Sequence, residues 1–262
     1  MDELIYEEFP PHPVLRPEVR CCWRAVVPAC GETEPPWFRV LPDGCTDIVV
    51  DHAPVRLGRG AVTGGISIRV VGTMTRPVAF SAPTATEVLG VRFNPGGASA
   101  YFRVPARELT DADNELACFW GAEAGELVAC LAERWSPRER LALVEALLLR
   151  RRKALPSSAR CALQVAGLVV AEAGQLRIGQ LAERAGYSRQ YLARLFDEHV
   201  GISPKLLARI ERFSSIVKRV QTGAAQGWAD AAAAQGYFDQ SHFIHEFTEF
   251  AGVTPTAYFA RG

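Results

Sequence analysis

The chain has 262 residues, 48% apolar and 22% charged, with 29 Lys and Arg balanced by 29 Asp and Glu. That length allows one or two domains, and zero net charge argues against indiscriminate nucleic-acid binding while leaving room for a local basic face. No segment approaches the roughly 18 apolar residues of a membrane span, and Met1-Asp2-Glu3 opens no signal-peptide pattern, so a cytoplasmic protein with no membrane partner is expected. Seven cysteines without a secretory signal do not read as a disulfide framework. Cys21, Cys22, Cys30 and Cys45 contain no CxxC pair, which is poor zinc geometry. They read as small buried hydrophobes, and a redox role stays open.

Residues 1–105 are expected to be β-rich. Short runs such as Asp47-Ile48-Val49-Val50, Ile66 to Val71 and Val88 to Phe93 are punctuated by Pro42-Asp43-Gly44, Gly64-Gly65 and Asn94-Pro95-Gly96-Gly97. Regular short strands with such turns predict a barrel or a sandwich. From 106 to 153 the pattern becomes helical, with Leu127, Leu131, Leu141, Val144 and Leu147-Leu148 at helical spacing. That apolar set is broad enough to cover both the β domain and a partner helix, so a homodimer is expected. Arg150-Arg151-Arg152-Lys153 ends the segment with charges that complement a helix C-terminus, and residues 154–158 read as a linker. Seven helices are predicted in 159–262, at about 159–173, 178–185, 189–199, 204–221, 228–235, 240–250 and 255–260.

A unit of about fifty residues occurs twice in this helical half. Ala182 recurs as Ala232, 50 positions on, whereas Phe196, Gly201 and Pro204 recur as Phe247, Gly252 and Pro255, each 51 on. In the first copy Gly186 is suited to end one helix in the left-handed conformation, and Ser188 to cap the next. On that second helix Leu192, Leu195 and Phe196 form an apolar face, and Gln190, Arg194 and Asp197 lie opposite. Gln and Arg can make bidentate contacts to adenine and guanine edges, and Arg189 suits a phosphate. In the second copy Gln240, Ser241, His242 and His245 occupy the N-terminal half of the corresponding helix, where a recognition helix meets bases. The helix between them, 204–221, is about 27 Å long at 1.5 Å per residue, of the order needed to set two reading helices in successive major grooves. A bland helical hairpin would also carry an apolar face with polar residues opposite. From 156 to 262 there are 11 Lys and Arg against 9 Asp and Glu, and elsewhere 18 against 20; this weak asymmetry has the sign a C-terminal DNA-binding domain needs.

Leu181-Ala182, Gly186-Tyr187-Ser188, Tyr191-Leu192, Leu195-Phe196 and Gly201-Ile202-Ser203-Pro204, followed by Ala232, Gly236 to Phe243, Phe247 and Gly252 to Tyr258, resemble the AraC/XylS family of bacterial transcription regulators. The resemblance covers about 100 residues. It implies double-stranded DNA as partner, base reading at Gln190, Ala193 and Arg194 in the first unit, and at Gln240, Ser241, His242 and His245 in the second. It further implies regulation of transcription, with an activator and a repressor both open and RNA polymerase a candidate partner. The second unit departs from the family pattern: His245, Thr248 and Phe259 stand where Arg, Lys and Arg are usual. With Glu246 and Glu249 on the same helix, a weaker hold on phosphate is expected there, strengthened if His242 or His245 is protonated.

Leu41 to Ile48 and Gly90 to Gly97 resemble segments of an uncharacterised N-terminal domain found in some AraC-like regulators, which implies sensing or dimerisation without naming a ligand. The expected fold class is therefore α+β: an N-terminal β-barrel, cupin-like domain with trailing helices over 1–153, then an all-α, seven-helix domain with two helix-turn-helix units over 159–262. A small-molecule effector would meet Trp23, Trp37, Phe38, Phe80, Arg92 and Phe93, although the aromatic residues read equally as core and Arg92 as a structural ion pair. Asp43, Asp47 and Asp51 read as turn-capping residues rather than one convergent site. His12 and His52 are not paired as a metal cupin requires, and no catalytic or cofactor fingerprint is present. No enzyme, metal or cofactor is expected. The competing reading is a small-molecule-binding or cupin-like enzymatic protein whose helical half is an interaction module.

Overall fold

The computed structural model describes residues 4–29, 38–51, 56–57, 65–82, 84–133, 136–235, 237 and 240–260. Trp37, Cys30 and His52, named above, lie outside them. The N-terminal strands are β1 (Ile5–Phe9), β2 (Val19–Val27), β3 (Phe38–Val40), β4 (Asp47–Asp51), β5 (Arg56–Leu57), β6 (Ser67–Val71), β7 (Val78–Ser81), β8 (Thr86–Phe93) and β9 (Asp113–Glu115). Six form one sheet in the order β1-β2-β8-β4-β6-β9, and three form a second, β3-β7-β5, every described pairing being antiparallel.

The expected barrel is not formed. The large sheet stays open, with β1 and β9 at its edges. Closure would need a further ladder between those edges, and β9, only three residues long, pairs with β6 alone among the described residues. The segment 106–153 also differs from expectation, because it contributes β9 before its helices begin. Those are α1 (Ala117–Trp120), α2 (Ala122–Ala132) and α3 (Pro137–Arg151).

Alternation along the strands sends side chains to two environments. Ile48 and Val50, Ile68 and Val70, and Leu89, Val91 and Phe93 face α1–α3, where Leu127, Leu131, Leu141, Val144, Leu147 and Leu148 complete the core. The apolar helix positions that suggested a dimer contact are thus used within the chain. Cys21, Trp23, Ala25, Val49 and Val88 face the other way, with Phe38 and Phe80 of the small sheet packed against them. Gly90 is required there: it pairs with Trp23, and a Cβ would collide with the indole. The basic end of α3 is tied down, Arg150 and Arg151 to Glu123 and Arg152 to Glu18, with the Arg151 guanidinium 4.5 Å from the Trp120 ring centre.

Seven helices follow: α4 (Ser157–Ala171), α5 (Ile178–Ala185), α6 (Arg189–His199), α7 (Pro204–Gln221), α8 (Trp228–Ala234), α9 (Gln240–Ala251) and α10 (Pro255–Phe259). Local chemistry sets their ends. Gly186 is left-handed at φ 71°, the Ser188, Ser203 and Thr254 side chains accept from the third backbone N–H beyond them, and Pro204 and Pro255 open the first turn. Phe196, Phe213, Phe243, Phe247 and Phe250 are fully buried in the shared core of this half. Among the described residues, no helix is long and apolar enough to cross a membrane.

Candidate nucleic-acid interface and the cavity beside it

The first helix-turn-helix is α5 and α6. Leu192, Leu195 and Phe196 are buried, whereas Arg189, Gln190, Ala193 and Arg194 are exposed on the outer side of α6. Arg189 folds back towards α5, its guanidinium lying over Gly179, and Arg194 lies 5.5 Å from the Tyr191 ring centre. In the second unit, α8 and α9, Phe243 and Phe247 are buried and Gln240, Ser241, His242 and His245 are exposed. Each set of side chains expected to read bases therefore shares one open helix face.

Electrostatics of α9 differ from expectation. Glu246 is 2% exposed and points inward, where it accepts from Arg209 Nε at 2.7 Å and from the Tyr237 hydroxyl. Arg209 also holds Glu249 at 2.5 Å. One α7 arginine thus answers both carboxylates, so they do not stand as free negative charge beside His242 and His245.

The end of α6 is held by the N-terminal domain. Its last carbonyls have no partner within the helix. Ser99 Oγ donates to His199 O at 3.1 Å, Thr73 Oγ1 to Val200 O at 3.2 Å, and Thr110 Oγ1 to Gly201 O at 2.8 Å. Three hydroxyls from three separate segments thereby cap three consecutive carbonyls. The approach is close, since a Cβ at Gly201 would press on Thr110 Oγ1 and Ala106 O. Arg107 adds an exposed ion pair to Asp197 at 3.1 Å.

A cavity of about 960 Å³ lies between the two halves. Its floor is the outward face of the large sheet, one wall comes from the small sheet, and Phe213, Ser214, Val217, Lys218 and Gln221 of α7 form another. The turn before β4 and Arg20 of β2 tie the N-terminal domain to α7: Ser214 Oγ donates to Pro42 O at 3.4 Å, Arg20 meets Glu211 at 3.6 Å, and Gly44 abuts Leu207. Burial raises the Glu211 carboxyl above the usual range.

Of the residues expected to meet an effector, Trp23, Phe80 and Arg92 line the cavity. Phe38 stands behind Phe80, ring centres 5.6 Å apart. Phe93 is a correction: it is fully buried on the opposite sheet face against Tyr101 and Phe102, because odd and even positions of β8 point to opposite sides. The aspartates are a second correction. Asp47 and Asp51 are four apart on one strand, so they share a face, and both line the cavity. Asp43 caps its turn as expected, accepting from Cys45 N at 3.0 Å, yet it also meets Arg92 Nε at 3.0 Å. Asp47 accepts from Trp23 Nε1 at 2.6 Å and from Arg92 Nε at 3.2 Å. Burial pushes its carboxyl up to about 6, with Arg92 opposing and Asp43 adding to the rise. Asp51 and Asp113 both pair with Arg69. Period-two alternation in the run Asp47 to Asp51 was the signal that could have found this pair. Among the described residues no group of three His, Cys, Asp or Glu side chains could hold a metal ion.

A helix-turn-helix domain family matches residues 181–261, which contain both exposed helix faces. Residues 181–261 form an AraC-type helix-turn-helix domain. Residues 7–115 match a domain of unknown function, DUF6597, so the AraC-type domain follows an uncharacterised N-terminal domain, as Leu41 to Ile48 and Gly90 to Gly97 implied. The AraC-type helix-turn-helix domain supports DNA binding and transcription regulation as the role of the chain. A search of curated proteins finds no match. Solved structures similar to the whole chain include ToxT from Vibrio cholerae, at 10% identity over 98% of this chain and 97% of that one, TM-score 0.49. ToxT from Vibrio cholerae O395 bound to (E)-4-(8-methylnaphthalen-1-yl)but-3-enoic acid matches at 12% identity over 98% of each chain, also at TM-score 0.49.

Proposed function

We propose that the chain is a one-component regulator that reads DNA with α6 and α9 and senses a small molecule in the cavity between its halves. The observation that carries this reading is the double duty of α7: the helix joining the two reading units is also a wall of the cavity. Residues 1–153 sense, and 159–262 bind DNA. Gln190, Ala193 and Arg194 contact bases from the first unit, Arg189 contacts phosphate, and Gln240, Ser241, His242 and His245 read from the second. An occupant that favours one seating of α7 over another shifts the population of DNA-competent molecules. The exposed edge strand β1, with Ile5 and Phe9 in the open, supports a homodimer, which the sedimentation mass tests.

Replacing Arg194 by Ala removes one bidentate base contact, worth about 1–3 kcal/mol. On a duplex selected from a random pool by the wild-type protein, the variant should bind roughly tenfold or more weakly with its circular dichroism unchanged; equal affinity refutes base reading by α6. A footprint over two adjacent major grooves is expected, and protection of one groove alone would remove α9 from the reading. For sensing, Ala25→Trp fills the cavity from the sheet and should change DNA affinity without touching either reading face.

A further inference from the structure

We infer that the cavity takes an apolar molecule whose inner end is a protonated amine, bound to Asp51. The inference rests on the reading of the cavity as a sensing site, and it names the chemistry of the occupant.

Charge on the floor sets the first condition. Asp43 and Asp47 share Arg92, and Asp51 and Asp113 share Arg69. Asp113 is exposed, so the three carboxylates held largely away from solvent, Asp43, Asp47 and Asp51, face two guanidiniums, a surplus of one negative charge where it is least screened. The nearby Asp111 carboxylate is engaged by the Thr75 N–H and hydroxyl. An anionic head placed on this floor would add like charge away from water, whereas an ammonium would offset the surplus. Arg39, Arg76 and Lys218 also line the cavity, but all three are exposed and belong to its mouth, where solvent screens them.

Asp51 supplies the second condition, independent of the count of charges. It is 4% exposed, and its Oδ2 accepts from Arg69 Nε at 2.8 Å and Nη2 at 2.6 Å. Its Oδ1 is buried and meets no donor among the described residues. Buried carboxylate oxygens are seldom left so, because desolvation without a hydrogen bond is unfavourable. A donor arriving from the cavity completes the set, and an ammonium does so with a charge-assisted bond. Val88 lies opposite Asp51 in the strand register and Ala25 opposite Val88. With Val49 and Trp23 on the same face, they give the molecule behind the amine an apolar bed.

The test is calorimetry on the full chain with 4-phenylbutylamine and 4-phenylbutanoate, which share ring and length and differ in the charge of the head. The amine should bind at least tenfold more tightly than the carboxylate. Asp51→Asn should weaken the amine about tenfold. Val88→Phe, which narrows the bed beside Asp51 without altering a charge, should abolish binding and serves where Asp51→Asn does not fold. Preference for the carboxylate, or amine binding unchanged in both variants, overturns the inference while the sensing reading stands. If neither compound binds, the amine falls; the sensing reading falls with it only if Ala25→Trp also keeps wild-type DNA affinity.

Discussion

The three hydroxyls that cap the end of α6 tie the proposed reading helix to segments that border the cavity. Thr73 and Thr110 adjoin Met74 and Asp111, both of which line the cavity. Replacing Ser99 by Ala and Thr73 and Thr110 by Val removes hydrogen bonds of 3.1, 3.2 and 2.8 Å to the carbonyls of residues 199, 200 and 201. A neutral hydrogen bond contributes about 1 kcal/mol net, so the triple variant should lose about 2–3 kcal/mol, with some coupling because the three sites adjoin. The loss should be local. Amide exchange at the end of α6 and in the following turn should rise steeply, while exchange in β4 and β8 should not change. Because the cap also docks the two halves, DNA affinity in the triple variant should cease to respond to Ala25→Trp. Unchanged exchange at residues 199–201, or an intact response of DNA affinity to the filled cavity, would refute the reasoning.

Arg209→Ala should destabilise the C-terminal half by about 2 kcal/mol in urea unfolding, below the 3–5 kcal/mol of a fully buried pair because the guanidinium is 24% exposed; Glu246→Gln in that background should restore part of the loss, and no recovery would refute the pairing. Asp47 predicts a pH effect: its folded carboxyl titrates near 6 and the unfolded one near 3.8, so between those values the folded state binds more protons and stability from this group falls as pH rises. Subtracting the profile of Asp47→Asn from that of the wild type should expose this slope whatever the variant's absolute stability, and a flat difference between pH 4 and 6 would count against it. Gly90→Ala should lower the melting temperature and alter Trp23 fluorescence, because the added Cβ displaces the indole; an unperturbed emission spectrum would contradict that packing.

The seven C-terminal helices were legible in the sequence because their signals are local. An amphipathic stripe, a serine or threonine cap, a proline at the first turn and a glycine at the end act within a few residues of one another, and α5, α6 and α7 fall at the bounds those signals predict. The exposed rows on α6 and α9 follow from the same periodicity, and the repeat with its AraC-type pattern assigned them to DNA. Position on a strand is local too: Asp47 and Asp51, four apart on β4, share a face by period-two alternation. Which partner each face meets is not local. Whether Phe93 belongs to core or cavity depended on which side α1–α3 cover. Whether Glu246 and Glu249 face DNA depended on Arg209, 37 positions from the first of them along the chain. The barrel failed to close because long-range strand pairing, rather than strand propensity, decides edges. The cavity and the hydroxyl cap on α6 exist only because α7 and the end of α6 settle against turns more than ninety residues earlier in the chain, a contact that no periodicity in the sequence encodes.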